Sequence, residues 1–325
     1  MQVMLTGATG FIGGHVMRSL VDAGHRPRVL VRSPTKFGQM CAAHGLDPSS
    51  VDAIEGDMLD AMCVAEALAG CTACIHTAAV TTLEPNSTTD LSRVNVGGTR
   101  IVLDAAIGAG CDPVVHVSSV SAIFPPAGPV FSGDDPVSTS AQPYTRSKAE
   151  SERYARALQD AASPVVTIYP SAVNGPTDVG VNVTAAGYGM LLANPFVIVP
   201  ETGGLLLVDV RDLATGIVAL LTPGRGPRRY MAGGHFLPWP LVAELIDRIT
   251  GLPREHPVMG TEQLRQFLDE ELVDIMLRTV PADDGPFLRD SGITWRPVEE
   301  TLTETLRWMV ERGILGAEWA PALAP

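Results

Sequence analysis

The stretch Val3-Met-Leu-Thr-Gly-Ala-Thr-Gly-Phe-Ile-Gly13 constrains this chain more than any other. An apolar run ends on a glycine-rich turn and passes at once into a helical pattern, the opening of a βαβ unit. Gly7 permits the tight turn, Gly10 lets the backbone approach a pyrophosphate, and Gly13 lets the helix sit close on the sheet. Free N–H groups at the start of that helix, at the positive end of its dipole, hold phosphates without any basic side chain.

That economy suits an acidic chain. Lys plus Arg number 23 and Asp plus Glu 36, a net charge of −13. Phosphate-backbone binding needs clustered cations, so the balance argues against nucleic acid and anionic membranes as partners. Apolar residues make up 46% of the 325 positions and charged residues 18%, ample for a buried core and against disorder.

Val3–Leu5, Pro27–Val31, Val51–Ile54, Ala73–Thr77, Val114–Ser118 and Val165–Tyr169 are apolar, β-branched runs, as expected for strands covered on both faces. Helical patterns near 11–23, 60–69, 88–109 and 143–160 alternate with them. The alternation predicts an α/β fold, a Rossmann-type doubly wound parallel sheet. After residue 170 a strand at Leu205–Val208 precedes helices over 209–221 and near 239–250, 261–279 and 297–313. We read a dinucleotide domain over 1–170 and a smaller, mostly helical substrate-binding part over 171–325, some segments of which can return to the sheet.

The five cysteines form no regular framework, which predicts a reducing, cytoplasmic setting. Cys71-Thr-Ala-Cys74 has redox or zinc spacing without a second ligand pair, so we read one loop and one buried cysteine. No leader is expected at the N-terminus, and no run approaches the roughly 18–20 apolar residues of a membrane span. No histidine pair has metal spacing, and no metal is expected.

The second strand bears on the choice of nicotinamide. NAD-selective sites place an acid at its end to bond the ribose 2′-hydroxyl. Here Val29-Leu-Val31 runs into Arg32, with Lys36 four residues on and no acid between. A guanidinium grips a 2′-phosphate bidentately, so NADP(H) is expected, with NAD(H) the alternative. Tyr144-Thr-Arg-Ser-Lys148 puts a phenol and an ammonium on one helical face, one turn apart. A nearby cation favours phenolate and tunes the tyrosine as an acid/base. Ser118-Ser119 falls at the carboxyl end of a strand, where open α/β sheets place their ligands.

In order along the chain stand Thr6–Gly13, Gly56-Asp57-Met58, His76-Thr-Ala-Ala79, Asn95-Val-Gly-Gly-Thr99, Val117-Ser-Ser119, Tyr144-x-x-x-Lys148, Tyr169-Pro-Ser-Ala-Val-Asn-Gly-Pro176, Val208-Asp-Val-Arg-Asp-Leu-Ala214 and Gly292–Leu302. Together they resemble the extended short-chain dehydrogenase/reductase family, the NAD-dependent epimerase/dehydratase superfamily, over nearly the whole chain. The resemblance implies a Ser119–Tyr144–Lys148 catalytic set. Tyr144 would exchange a proton with a substrate oxygen that Ser119 bonds, and Lys148 would lower the tyrosine pKa and hold the nicotinamide ribose. It implies cofactor contacts at Gly7, Thr9, Gly10, Phe11, Ile12, Gly13, Asp57, Met58, Thr77, Ala78, Ala79, Asn95, Tyr144, Lys148, Pro170 and Val173, besides Arg32 and Lys36. It also implies a substrate cleft walled by Phe124, Phe131, Tyr188 and Met190, and a homodimer through the helices near 88–109 and 143–160.

Sugar-nucleotide epimerases of this family usually carry an Asn at the position of Ala172, and its dehydratases an Asp-Glu pair where this chain has Ser121–Phe124. Pro170-Ser171 instead resembles the branch of dihydroflavonol, cinnamoyl-CoA and 3β-hydroxysteroid enzymes. The expectation is an NADP(H)-dependent oxidoreductase interconverting a carbonyl and a secondary alcohol on a moderately hydrophobic small molecule. The alternatives are a nucleotide-sugar epimerase/dehydratase-type enzyme with tightly bound NAD, and a non-catalytic dinucleotide sensor. Asp134-Asp135 is expected to be a solvated turn, and Trp239, Trp295 and Trp308 to be core.

Overall fold

The computed structural model describes residues 1–81 and 90–324. The first half runs β1 (Gln2–Thr6), α1 (Phe11–Asp22), β2 (Arg26–Val31), α2 (Pro34–Ala43), β3 (Asp52–Glu55), α3 (Ala61–Leu68), β4 (Ala73–His76), α4 (Gly98–Gly108), β5 (Val114–Val117), α5 (Pro143–Asp160) and β6 (Val165–Pro170). Then follow β7 (Ala172–Asn174), α6 (Val183–Leu192), β8 (Val199–Pro200), β9 (Gly204–Asp209), α7 (Val210–Ala219), β10 (Arg228–Ala232), β11 (His235–Pro238) and α8 (Trp239–Thr250). The chain ends with β12 (Val258–Met259), α9 (Thr261–Leu264), α10 (Glu270–Arg278), α11 (Gly285–Ser291) and α12 (Val298–Glu311).

Seven strands form one sheet in the order β10-β6-β5-β4-β1-β2-β3, every neighbour parallel. This is the doubly wound sheet the apolar runs predict. Strands β4, β5 and β6 are buried at every residue, which is why they read as unbroken apolar runs rather than alternating ones. Strand order reverses between β1 and β4, and the crevice beyond their carboxyl ends is where such a sheet receives its ligand.

Several elements depart from expectation. Helix α2 was not anticipated: Ser33 caps it by accepting from the Lys36 N–H at 3.3 Å, and Pro34 opens its first turn. Of the expected helix near 88–109, residues 88 and 89 lie outside the described residues, Ser92–Gly97 form a π turn, and α4 follows. The single helix expected over 261–279 is two, α9 and α10, because Asp269 takes the cap of α10 by accepting from the Glu271 N–H at 2.9 Å.

Halves in sequence and halves in space do not coincide. Strand β10, well beyond residue 170, pairs with β6 as the edge of the main sheet. Helix α7 lays Leu213, Ile217 and Val218 into the same core as Val16, Met17 and Leu20 of α1. The remaining C-terminal elements enclose a second core around Leu207, Ile246, Leu306 and Met309. Cys71 lies in the loop between α3 and β4, as expected, but is buried like Cys74; its thiol donates to the Ala67 carbonyl at 3.4 Å. Asp134 is exposed and pairs with Arg229 at 2.7 Å. Asp135, expected to be solvated, is buried, because its carboxylate accepts from the Ala127 and Ser132 N–H groups at 3.2 and 2.9 Å. Among the described residues no helix is long and apolar enough to cross a membrane.

Candidate active site

The loop between β1 and α1 is tight in two directions. Gly7 has φ +82°, and a Cβ there would lie 2.4 Å from Thr77 Oγ1 and 2.7 Å from the Ala78 nitrogen. A Cβ on Gly13 would lie 2.1 Å from the Gly7 carbonyl oxygen. The backbones of the loop, the first turn of α1 and the segment after β4 therefore meet without side chains between them. What they leave open is a cavity of about 500 Å³ at the switch point.

Gly7, Thr9, Gly10, Arg32, Lys36, Asp57, Met58, Thr77, Ala78 and Ala79 line this cavity, as expected for cofactor contacts. Phe11, Ile12 and Gly13 form the first turn of α1 behind the loop. Gly10 caps α1 with no side chain, leaving the helix-start N–H groups open toward an anion. Thr77 is fixed by donating to the Thr6 carbonyl at 2.8 Å, and Asp57 accepts from the Leu59 N–H at 2.9 Å. Arg32 and Lys36 stand exposed on the rim beside Ser33.

Asn95 is not among the lining residues. Its carboxamide accepts from the Val80 N–H at 2.8 Å and donates to the Val80 carbonyl and the Ser147 hydroxyl, both at 3.0 Å. It clamps the loop after β4 onto α5 and shapes the cavity wall from behind.

Helix α5 starts where it does because Pro143 sits in its first turn and Gln142 accepts from the Thr145 N–H at 2.8 Å. Tyr144 is half-buried and Lys148 buried. Ser119, at the end of β5, is half-buried and its hydroxyl accepts from the Ser121 N–H at 3.2 Å; Ser118 is buried with its hydroxyl unpartnered. Burial pushes the Tyr144 phenol up to about 12, against the neighbouring Ser119 hydroxyl, which lowers it. The structure thus brings Ser119 and Tyr144 together. Burial pulls Lys148 down to about 8, opposed by the Glu152 carboxylate. Lys148 is not among the groups shifting Tyr144, contrary to the expectation from spacing.

This strand order, glycine loop and helix are matched outside the chain. The model of the NAD dependent epimerase/dehydratase family covers residues 3–233. The chain belongs to that family. Among its relatives, sterol demethylase protein B of Methylococcus capsulatus is 30% identical over 97% of this chain and 100% of its own length. Cinnamoyl-CoA reductase 1 of Petunia hybrida is 26% identical over 96% of this chain and 93% of its own. The crystal structure of gox2253 superposes with a TM-score of 0.79 at 26% identity, covering 96% of this chain and 99% of that one. This epimerase/dehydratase family member is therefore an enzyme of the extended short-chain dehydrogenase/reductase type.

Around α5, this family member differs from expectation mainly on the expected substrate side. Phe124 and Phe131, with ring centroids 6.3 Å apart, are packed into a closed core with Ile123, Tyr169 and Leu206. Tyr188 is buried in the C-terminal core with its hydroxyl unpartnered, and burial pushes that phenol up. Met190 does not face a cleft: it is 79% exposed on α6, a helix whose residues are apolar all round, so that spacing marks no inner face. Pro170 ends the buried strand β6, and Val173 packs against the main core from β7; neither lines the 500 Å³ cavity.

Two sets of contacts that no sequence pattern marks brace the site. Glu271 of α10 accepts from the Thr145 hydroxyl at 2.6 Å, tying the C-terminal part to the first turn of α5. Glu152, Arg156 and Tyr169 form a buried cluster behind Lys148. Within it the Tyr169 hydroxyl donates to Glu152 at 2.5 Å. His76 and His116 are buried cross-strand neighbours with rings stacked at 5.7 Å. His76 bonds the Thr6 and Thr99 hydroxyls at 2.7 and 3.1 Å, whereas neither ring nitrogen of His116 has a partner.

Proposed function

We propose that this enzyme is an NADP(H)-dependent oxidoreductase interconverting a carbonyl and a secondary alcohol on a moderately hydrophobic small molecule. The observation that carries the proposal is the juxtaposition of Ser119 and Tyr144 at the carboxyl end of β5, with Lys148 one helical turn on. In reduction, the Ser119 hydroxyl donates to the carbonyl oxygen and Tyr144 gives that oxygen its proton; in oxidation Tyr144 takes the proton back. A nicotinamide bound in the crevice supplies or receives the hydride, the chemistry the side chains themselves lack. The glycine cradle and the open start of α1 fit its pyrophosphate. Lys148 would hold the ribose, Asp57 and Met58 the adenine side, and Pro170 and Val173 the passage beside the nicotinamide.

Support for a less polar substrate comes from two relatives, one named for sterol demethylation and the other for cinnamoyl-CoA reduction. The second reading, a nucleotide-sugar epimerase or dehydratase with tightly bound NAD, is favoured by the name of the matching family. Ala172 and Ser121–Phe124 stand against it, lacking the polar groups those chemistries use. The division into a cofactor part (1–170) and a substrate part (171–325) belongs to the proposal, with β10 and α7 assigned to the cofactor side. So does a homodimer through α4 and α5; light scattering is expected to give twice the chain mass, and a monomer mass would exclude it.

Arg32 and Lys36 on the rim support NADP(H). Nicotinamide fluorescence titration is expected to show NADPH bound more tightly than NADH. In Arg32→Ala that advantage should fall by roughly ten- to hundredfold, the value of one charge-assisted contact of about 1.5–3 kcal/mol. Tighter binding of NADH by the wild type would reject the role given to Arg32.

A further inference from the structure

Thr145 is the third residue of α5, directly after Tyr144, and no full helical turn precedes it to offer its hydroxyl a carbonyl. It is buried, so that hydroxyl needs a partner from elsewhere in the chain. Glu271 of α10, itself half-buried, supplies it: Oε1 accepts from Thr145 Oγ1 at 2.6 Å and from Ser140 Oγ at 3.4 Å. Ser140 Oγ in turn accepts from the Gln142 N–H at 3.1 Å, and Gln142 is the residue that caps α5 through the Thr145 N–H. A carboxylate suits this place better than a neutral acceptor, because the first turn of a helix is its positive end.

Helix α10 also reaches the segment that carries Ser119. That serine opens the turn Val120–Ile123, which packs against α5. Ile275 of α10 packs in one cluster with Val120, Ile123 and Phe124, and the Arg278 guanidinium lies over the Phe124 ring, 5.9 Å from its centroid. Hydrogen bonds run the same way: the Ser138 N–H donates to the Ala122 carbonyl at 2.8 Å, Ser138 Oγ accepts from the Ser140 N–H at 3.3 Å, and Ser140 donates to Glu271. The other end of α10 is fixed in the C-terminal part. There the Met276 carbonyl accepts from Trp239 Nε1 at 2.8 Å, and the backbone at Gly203 comes so close that a Cβ would lie 2.1 Å from that oxygen. One anchored helix therefore touches both the segment after Ser119 and the turn that carries Tyr144.

We propose that Glu271 is a positioning residue acting through Thr145: from the C-terminal part it holds the first turn of α5 so that the Tyr144 phenol stands beside Ser119. The proposal rests on the roles assigned above to Ser119 and Tyr144. It can be read without a substrate. Full-length protein labelled with ¹³Cζ-tyrosine gives five resonances, and the one lost in Tyr144→Phe belongs to Tyr144. Ser119→Ala defines the direction in which that resonance moves when the serine hydroxyl is withdrawn.

Glu271→Ala and the isosteric Thr145→Val are each expected to move the Tyr144 resonance in that direction. The double variant is expected to move it no further than the larger single effect, since both remove one bond. Thr145→Ser keeps the hydroxyl and is expected to leave the resonance in place. With a carbonyl that the wild type accepts, kcat is expected to fall about ten- to hundredfold in Glu271→Ala, the order of loss when a reacting group is displaced by up to an ångström. The affinity for NADPH should change little, since no residue of α10 lines the cavity at the glycine loop. A Tyr144 resonance unmoved in the single variants overturns the proposal, as do shifts that add in the double variant; Thr145→Val decides if Glu271→Ala does not fold. Full turnover by Tyr144→Phe would instead remove the catalytic assignment and leave the brace standing, so the two failures are distinguishable.

Discussion

Tyr144→Phe is expected to lower turnover by about 10²–10⁴-fold, the range for removing a positioned general acid, while leaving the affinity for NADPH unchanged. The substitution takes away one oxygen atom and keeps the ring, so α5 and the half-buried packing at its start persist. What disappears is the group that, in the proposed reaction, exchanges a proton with the substrate oxygen beside Ser119. In the proposal most nucleotide contacts come from the loop before α1, the rim at Arg32 and the segment after β4, lining a cavity to which Tyr144 does not contribute. The check is kcat with a carbonyl substrate accepted by the wild type, beside an NADPH fluorescence titration of both proteins. A variant that keeps more than a tenth of the wild-type rate would remove Tyr144 from the chemistry.

Gly13→Ala is expected to abolish dinucleotide binding and to cost about 3 kcal/mol of stability, toward the upper end for overpacking. The added carbon would sit 2.1 Å from the Gly7 oxygen and 2.5 Å from the Gly7 carbonyl carbon. These are backbone atoms of a loop already turned at φ +82° against Thr77 and Ala78, so nothing nearby can give way by rotating a side chain. Helix α1 must lift off the loop, and the phosphate cradle opens with it. The same substitution at Gly38, in α2 with nothing within 4 Å of its built Cβ, is expected to stabilise by up to about 1 kcal/mol. Thermal melts of the matched pair with and without NADPH check this. An NADPH-dependent rise in Tm retained by Gly13→Ala would contradict the cradle.

The parallel sheet was legible because strands buried on both faces leave unbroken apolar runs, and because Gly7, Gly10 and Gly13 admit few alternatives to a strand–turn–helix. Strand β10 was not, since an edge strand opening on Arg228-Arg229 carries no such run. Helix α2 shows only Phe37, Met40 and Cys41 on its inner face, a short stripe; Ser33-Pro34 was the signal that could have marked its start. In the site, the glycine loop, the rim cations and the Ser119–Tyr144 pair were readable from local spacing. The Asn95 clamp on Val80, the Glu271 brace on Thr145 and the Glu152–Tyr169 bond were not. Each joins elements whose approach is set by packing of the whole sheet, which no local pattern encodes. Met190 failed for a related reason: a helix apolar on every side does not announce which face turns inward.

The account stands most directly on the reaction itself. Purified protein mixed with NADPH and a panel of apolar ketones and aldehydes should oxidise NADPH steadily over many turnovers with at least one of them, followed by the loss of nicotinamide absorbance, and Tyr144→Phe should not. Protein that carries a tightly held NAD, consumes no added NADPH with any carbonyl and interconverts nucleotide sugars instead would contradict it.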